Sequence, residues 1–167
     1  ATGYQSMKSN TEGGYNTASG YYSLYSNTEG IYNTANGYQS LNANTTGQDN
    51  TASGFRSLYS NVNGYRNTGF GNQSLSATVQ GSDNTAVGYY ALKANTSASD
   101  NTALGKEAGD VITTGSDNII IGSGSDPSAA AASNQIVIGK GATGHGNNIA
   151  VIGNGSATAI HPHDDDE

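Results

Sequence analysis

The stretch that decides the fold is residues 33–49, NTANGYQSLNANTTGQD. Its asparagine, glycine and leucine recur at every seventeenth position along the chain, as Asn33 and Asn50 illustrate. Self-similarity at a fixed short period is typical of proteins built from stacked coils. Three columns carry the pattern: the asparagines Asn16, Asn33, Asn50, Asn67, Asn84, Asn101 and Asn118, the glycines Gly20, Gly37, Gly54, Gly71, Gly88, Gly105 and Gly122, and the leucines Leu24, Leu41, Leu58, Leu75 and Leu92.

The repeat changes character after residue 117. The step between asparagines, seventeen positions until then, is sixteen from Asn118 to Asn134 and fourteen from Asn134 to Asn148. The units there are β-branched runs closed by glycine, which indicate short strands. The Asp126-Pro127 pair and the neighbouring alanines predict a loop inserted near residues 123–133.

The change of period divides the chain into three parts. Residues 1–117 form a shaft of 17-residue repeats, and residues 118–156 form shorter-period, Ile/Val-rich β-roll repeats. Residues 157–167 are a polar, acidic linker to a further domain. Since Ala1 also enters in the middle of a repeat, we expect the chain to be one segment of a longer fibre.

The composition excludes several classes of protein. Only 34% of the residues are hydrophobic and 11% are charged, with 24 glycines and no cysteine. No stretch approaches the roughly 18 apolar residues of a membrane span, and a disulfide scaffold or a Cys-ligated zinc site requires cysteine. A formal charge of −7 argues against a nucleic-acid partner.

The repeat predicts an all-β protein, a parallel β-solenoid. Each unit is too short for a βαβ element, and stacking the units pairs every strand with its equivalents above and below. Glycine then occupies the corners, and asparagine side chains bond to the backbone at turns and to each other along the stack. Each coil offers a single leucine, a thin core. We therefore expect chains to associate, as a homotrimer, by burying the leucine column or the Tyr4, Tyr21, Tyr38, Phe55 and Tyr89 column between them.

The repeats resemble those of known fibres. Tandem Asn-Thr-Ala-x-Gly-Tyr-x-(Ser/Ala)-Leu-x-x-Asn-Thr-x-Gly units look like the shaft repeats of phage tail fibres and related bacterial surface fibres. The later Asn-x-Ile-Val-Ile-Gly units are similar to the head repeats of trimeric autotransporter adhesins. The resemblance implies left-handed parallel β-rolls packed as trimers outside the cell. Asn72, Ala98 and Gly109 depart from their columns, so we expect local irregularity around them.

His161-Pro162-His163 is the candidate metal site. A His-x-His pair on a strand points both imidazoles the same way, and three copies around a threefold axis would supply six nitrogens for an axial metal ion. The alternative is a solvated linker, which Pro162 favours. The acidic run 164–167 is interpreted as solvated charge. No other cofactor is predicted.

Repeated carboxylates and aromatics give the remaining candidates. Asp49, Asp83, Asp100 and Asp117 precede the asparagine column, but a catalytic pair needs two different environments, so turn chemistry is the preferred interpretation and no catalytic residue is assigned. Tyr22, Tyr25, Tyr59 and Tyr90 are candidate glycan contacts, because tyrosine offers a flat face with a polar tip. The column of Thr17, Thr34, Thr51, Thr68, Thr85 and Thr102 also raises ice binding, although threonine suits any strand.

These patterns predict a mechanical function. We expect a non-enzymatic structural shaft of an extracellular trimeric fibre, on a virion or a bacterial surface, that positions a tip for attachment. Further domains of the same fibre are the expected partners, and no membrane insertion is expected. The alternative is an adhesin that binds surface glycans directly through its Tyr and Asn/Thr faces. A polysaccharide depolymerase is the third possibility.

Overall fold

The computed structural model describes residues 1–156, which form an all-β parallel solenoid of about eight turns without a helix. Nine three-residue strands make one parallel sheet in chain order. They are β1 (Thr17–Ser19), β2 (Thr34–Asn36), β3 (Thr51–Ser53), β4 (Thr68–Phe70), β5 (Thr85–Val87), β6 (Thr102–Leu104), β7 (Ile119–Ile121), β8 (Ile136–Ile138) and β9 (Ala150–Ile152). The predicted fold class is confirmed.

The strands are paired in the register that the repeat predicts. Thr34 lies opposite Thr51, and Ala35 lies opposite Ala52, so each residue meets its equivalent in the next repeat. With adjacent strands about 4.8 Å apart, the eight steps from β1 to β9 extend about 38 Å. The outer face of the sheet is therefore a set of straight columns parallel to the solenoid axis.

The core lies inside each coil of a single chain. The central residue of every strand from β1 to β8 is buried, as Ala35 and Ala52 are, and in the coils that carry a column leucine it packs with that leucine. The column leucines from Leu24 to Leu92 are completely inaccessible to solvent. The expectation that this column packs between chains is wrong, because the coil closes around it.

Buried asparagines hold the coils together through two hydrogen-bonded ladders. In the first, the Asn33 side chain donates to the Gly47 carbonyl of its own coil at 2.8 Å and accepts the Asn50 backbone N–H of the next at 3.0 Å. In the second, Asn44 Nδ2 donates to Asn27 Oδ1 at 2.7 Å. The predicted bonding of asparagines to the backbone and to each other is confirmed, and both ladders satisfy polar groups that the thin core would otherwise bury unpaired.

The glycine column marks a corner that only glycine can occupy. Gly37 has a φ of 135°, and a Cβ added to it would lie 2.6 Å from the Gly54 carbonyl oxygen of the next coil. The coils therefore stack so closely at this corner that a methyl group has no room.

The period shortens one coil later than the sequence suggests. The structure aligns Ile119 of β7 with Ile136 of β8, which keeps the step of seventeen positions, and the shorter step of fourteen occurs only between Ile136 and Ala150. Gln135, rather than Asn134, follows Asn118 in the ladder and donates its backbone N–H to Asn118 Oδ1 at 3.0 Å. The predicted step of sixteen is thus wrong, since it matches Asn134 to the wrong column.

Residues 123–133 are an ordinary part of a coil and not an inserted loop. The Ala132 carbonyl accepts the Asn118 side chain at 2.8 Å, as the Gly115 carbonyl accepts Asn101 at 2.9 Å in the preceding coil. The alanines and the proline replace the usual residues of this segment without adding length, so the predicted insertion is corrected.

Asn72, Ala98 and Gly109, which depart from their columns, change the coils little. The Ala98 carbonyl accepts the Asn84 side chain at 2.8 Å, and the Asn72 carbonyl accepts the Tyr90 backbone N–H at 3.0 Å, so the expected irregularity does not arise at either residue. At Gly109 the leucine is lost, and fully buried Ile112 supplies apolar volume beside it.

Candidate functional site

The residue after each corner glycine builds a stacked aromatic ladder on the surface. Neighbouring rings of this ladder, which consists of Tyr4, Tyr21, Tyr38 and Phe55, have centroids 5.2–5.3 Å apart and lie within 15° of parallel. The rings therefore stack from coil to coil within one chain, and every ring remains at least 41% exposed. Burial of this column between chains stays a prediction. Asn72 ends the ladder, which leaves Tyr89 apart from it.

The four tyrosines predicted to contact glycans each pack against a neighbouring side chain. All four are half-buried. The Tyr22 and Tyr25 centroids are 4.6 Å apart, and the Arg56 guanidinium carbon lies 4.4 Å from the Tyr59 centroid. In the same way, Lys93 Nζ lies 3.8 Å from the Tyr90 centroid. Glycan contact by these four rings stays a prediction, and the more exposed aromatic rings belong to other columns.

A second aromatic pair lies just before the asparagine column. Tyr15 and Tyr32 stack with centroids 5.0 Å apart and are 80% and 53% exposed. In the sequence, Tyr15 and Tyr32 occupy the same repeat column as the aspartates Asp49, Asp83, Asp100 and Asp117. Because Tyr15 and Tyr32 stand at the same position of adjacent repeats, the sequence could have predicted that their rings stack on the surface.

The aspartate column occupies a strained turn. Asp49, Asp83, Asp100 and Asp117 have φ between 56° and 62°, the left-handed region that aspartate tolerates better than most residues. Asp83 also forms a bidentate ion pair with Arg66, whose Nε donates to Oδ1 at 2.6 Å and whose Nη2 donates to Oδ2 at 2.9 Å. This geometry supports the interpretation of these residues as turn formers.

One carboxyl group has an unusual environment that the sequence did not reveal. Asp126 occupies the position of the leucine column and is half-buried, and its Oδ1 has no hydrogen-bond partner among the described residues. Burial, with repulsion from Asp110 as a second cause, raises the pKa of Asp126 to about 6. Burial also raises the pKa of Asp110. Asp126 stands where other coils have a fully buried leucine, so its carboxyl interrupts the apolar core.

The outer face of the sheet changes from polar to apolar along the axis. The first strands present threonines with serine or asparagine, as Thr34 and Asn36 do in β2. Later strands present Leu104, Ile119, Ile136 and Ile152, each 39–52% exposed. We call these four side chains the apolar sheet face. The threonine column predicted from the sequence is thus on the surface, but it is flanked by apolar residues from β4 onwards.

The predicted metal site lies outside the described residues, as does the acidic tail. His161, His163 and residues 164–167 all follow residue 156. Within residues 1–156, no three His, Asp or Glu side chains converge as ligands for a metal ion.

Comparisons with protein-family profiles, curated proteins and solved structures gave no match to this chain. No helix in the described part of the chain is long and apolar enough to cross a membrane. The surfaces described above are therefore the basis for a functional assignment.

Proposed function

We propose that this chain is a non-enzymatic shaft segment of an extracellular trimeric fibre, of the tail-fibre or bacterial surface-filament type. The shaft spaces a tip from its base and positions it for surface attachment. The resemblance of the repeats to tail-fibre shafts and adhesin head repeats supports this proposal, as does an extended stack cross-linked by hydrogen bonds from coil to coil.

The observation that carries the trimer is the apolar sheet face. Leu104, Ile119, Ile136 and Ile152 project from a regular sheet whose strands all run across the long axis. Contiguous apolar surface of this kind marks an interaction site on a soluble protein. Three copies arranged around an axis parallel to the solenoid would cover this face and continue the same contacts from coil to coil.

Light scattering behind a sizing column tests the assembly. We expect a mass near three times the 16.9 kDa of one chain. Leu104→Asp places a charge in the face and should shift the mass towards one chain while the circular dichroism is unchanged. Thr114→Asp, which adds the same charge at an exposed position in a turn, should remain trimeric. A mass of one chain for the unmodified protein would overturn the trimeric shaft.

The aromatic ladder favours a second function, an adhesin that binds surface glycans directly. Its rings are regularly spaced and accessible along one edge, and tyrosine combines apolar and polar contacts with sugars. Co-sedimentation with insoluble polysaccharides, using Tyr21→Ala and Tyr38→Ala variants, tests this function. Lost binding with an intact fold supports the adhesin, whereas lost folding makes the ladder a structural part of the shaft.

A further inference from the structure

A groove opens on the surface beside the leucine column, where one coil lacks large side chains. Two residues project outward side by side at each column leucine: the one two positions before it and the one directly after it. We call these two residues the flanking pair. In three coils the pair is large: Tyr22 with Tyr25, Arg56 with Tyr59, and Tyr90 with Lys93. Between the last two of these coils the flanking pair is Gln73 with Ser76. The shorter serine leaves a gap between Tyr59 and Lys93.

The gap forms a groove of about 530 Å³. Its polar lining includes Arg56, Tyr59, Gln73, Ser76, Lys93 and Asp110, and Ala77 and Ala94 contribute apolar surface. A volume in this range accommodates a small organic ligand, and it is far larger than a lone inorganic anion requires.

The charges in the groove oppose those of the whole molecule. The chain has six basic and thirteen acidic residues, and two of the six, Arg56 and Lys93, lie in this groove. The ion pairs among the described residues are Arg66–Asp83 and Lys106–Glu107. Neither groove cation forms an ion pair there, but Asp110 lies near Lys93: burial raises the pKa of the Asp110 carboxyl, and the charge of Lys93 opposes that rise. Two cations and one carboxylate give the groove a net positive charge, so this acidic protein has a local positive site for an anion.

Both cations are also held in place. Arg56 Nε donates to Gln39 Oε1 at 2.9 Å, and the guanidinium carbon lies 4.4 Å from the Tyr59 centroid. Lys93 Nζ lies 3.8 Å from the Tyr90 centroid. Attraction between cation and ring restricts each side chain, which reduces the entropy lost when a ligand binds.

We propose that this groove binds an acidic saccharide unit. Arg56 and Lys93, which line the groove two coils apart, attract the sugar carboxylate. The sugar hydroxyl groups exchange hydrogen bonds with Gln73 and Ser76, and its C–H face lies on the alanines. Side chains that both donate and accept suit sugar hydroxyls. Asp110, at one end of the groove, disfavours a second carboxylate beside it. The site goes beyond the shaft function and depends on neither the trimer nor the aromatic ladder.

Isothermal titration of the purified protein with a glucuronate-containing tetrasaccharide tests the proposal. The matched ligand is the same tetrasaccharide with its carboxyl groups reduced to alcohols. We expect saturable binding of the acidic form, at least tenfold weaker binding of the reduced form, and weakening of the acidic form by added salt. Failure of the acidic tetrasaccharide to bind, or equal binding of the two forms, would overturn the proposal.

Three variants locate the binding in the groove. Ser76→Tyr introduces the side chain that Tyr25 and Tyr59 place at the same position of other coils, so it should fill the gap without disturbing the fold or the charge. It should abolish binding, and Lys93→Gln should weaken binding at least tenfold. Lys140→Gln removes an exposed cation from a distant coil and should have no effect. Unchanged binding by a folded Ser76→Tyr variant would show that the site is elsewhere.

Inorganic phosphate distinguishes a saccharide site from a general anion site. Phosphate that binds as tightly as the acidic tetrasaccharide would overturn the saccharide assignment. The mass of the protein in solution tests the shaft independently, so the two proposals can fail separately.

Discussion

Asn33 Oδ1 accepts two hydrogen bonds from Asn50, one from its backbone N–H at 3.0 Å and one from its Nδ2 at 3.1 Å. The same double contact joins Asn67 to Asn84 at 3.1 and 3.0 Å. Each of these side chains is completely buried. Removing one partner therefore leaves polar groups unpaired away from water, which costs more than the net gain of an ordinary hydrogen bond.

Replacement of a ladder asparagine should be strongly destabilising. Asn67→Ala leaves the Asn84 backbone N–H and the Gly81 carbonyl without the partners they have at 3.1 and 2.7 Å. We expect a loss of about 2–3 kcal/mol in the free energy of unfolding. Urea denaturation followed by circular dichroism measures it. Asn63→Ala, at an exposed turn position of the preceding coil, should change stability by less than about 0.5 kcal/mol, and equal effects of the two would refute the role of the ladder.

The second asparagine ladder has a gap that a substitution should repair. Thr78 follows Asn61 in that column, and the buried atoms Asn61 Oδ1 and Thr78 Oγ1 have no hydrogen-bond partner among the described residues. Thr78→Asn introduces an Nδ2 that can donate to Asn61 Oδ1, as Asn44 Nδ2 donates to Asn27 Oδ1 at 2.7 Å. The free energy of unfolding should rise by about 1 kcal/mol. The reverse change, Asn44→Thr, should lower it, and a destabilised Thr78→Asn variant would contradict the repair.

Two glycine-to-alanine variants should differ sharply. Gly37→Ala places a methyl group 2.6 Å from the Gly54 carbonyl oxygen and forces alanine to a φ of 135°. We expect a loss of about 3 kcal/mol or more. Gly14→Ala is the matched control, because nothing lies within 4 Å of its added Cβ. Thermal melting of both proteins measures the difference, and similar midpoints would show that the corner has room for a methyl group.

The stability should depend on pH through Asp126. Its folded pKa of about 6 lies above the ordinary value of 3.8, so the folded state binds the proton more tightly than the unfolded chain does. The resulting stabilisation is complete below pH 3.8 and is lost as the pH rises through about 6. Urea midpoints between pH 4 and pH 8 should therefore fall less in Asp126→Asn than in the unmodified protein.

An exposed carboxylate provides the control for net charge in that experiment. Asp100→Asn removes the same charge from the surface of another coil. If Asp100→Asn reduced the fall as much as Asp126→Asn, the effect would belong to the net charge and not to burial of Asp126.

The repeat columns predicted the fold because each column has its own structural requirement. Gly37 needs a conformation that excludes a Cβ, Asn33 needs partners in two coils, and Leu41 is fully buried. The alignment failed at Asn134, because an asparagine one position before the column looked more like a ladder residue than Gln135 does. Gln135 nevertheless keeps the backbone contact to Asn118.

The surfaces were harder to predict than the core, because exposure depends on neighbours that a single column does not reveal. Tyr59 and Tyr38 have the same side chain, but Arg56 lies over the half-buried Tyr59 ring, whereas Tyr38 stacks on equivalent rings above and below and is 44% exposed. The groove likewise results from the size of Ser76 relative to Tyr59 and Lys93 in adjacent coils. Ile119 belongs to a β-branched run that indicated a strand, but only the register places it on the outer face together with Leu104.

Because the register repeats from coil to coil, a mutation that adds or removes a repeat changes the length of the molecule by one whole coil. A duplicated or deleted coil leaves every column intact and moves the two ends apart or together by about 4.8 Å. The Asn33–Asn50 contact recurs with the same direction, so an added coil has one orientation open to it. In-frame gain or loss of one repeat can therefore lengthen or shorten the solenoid without a new core.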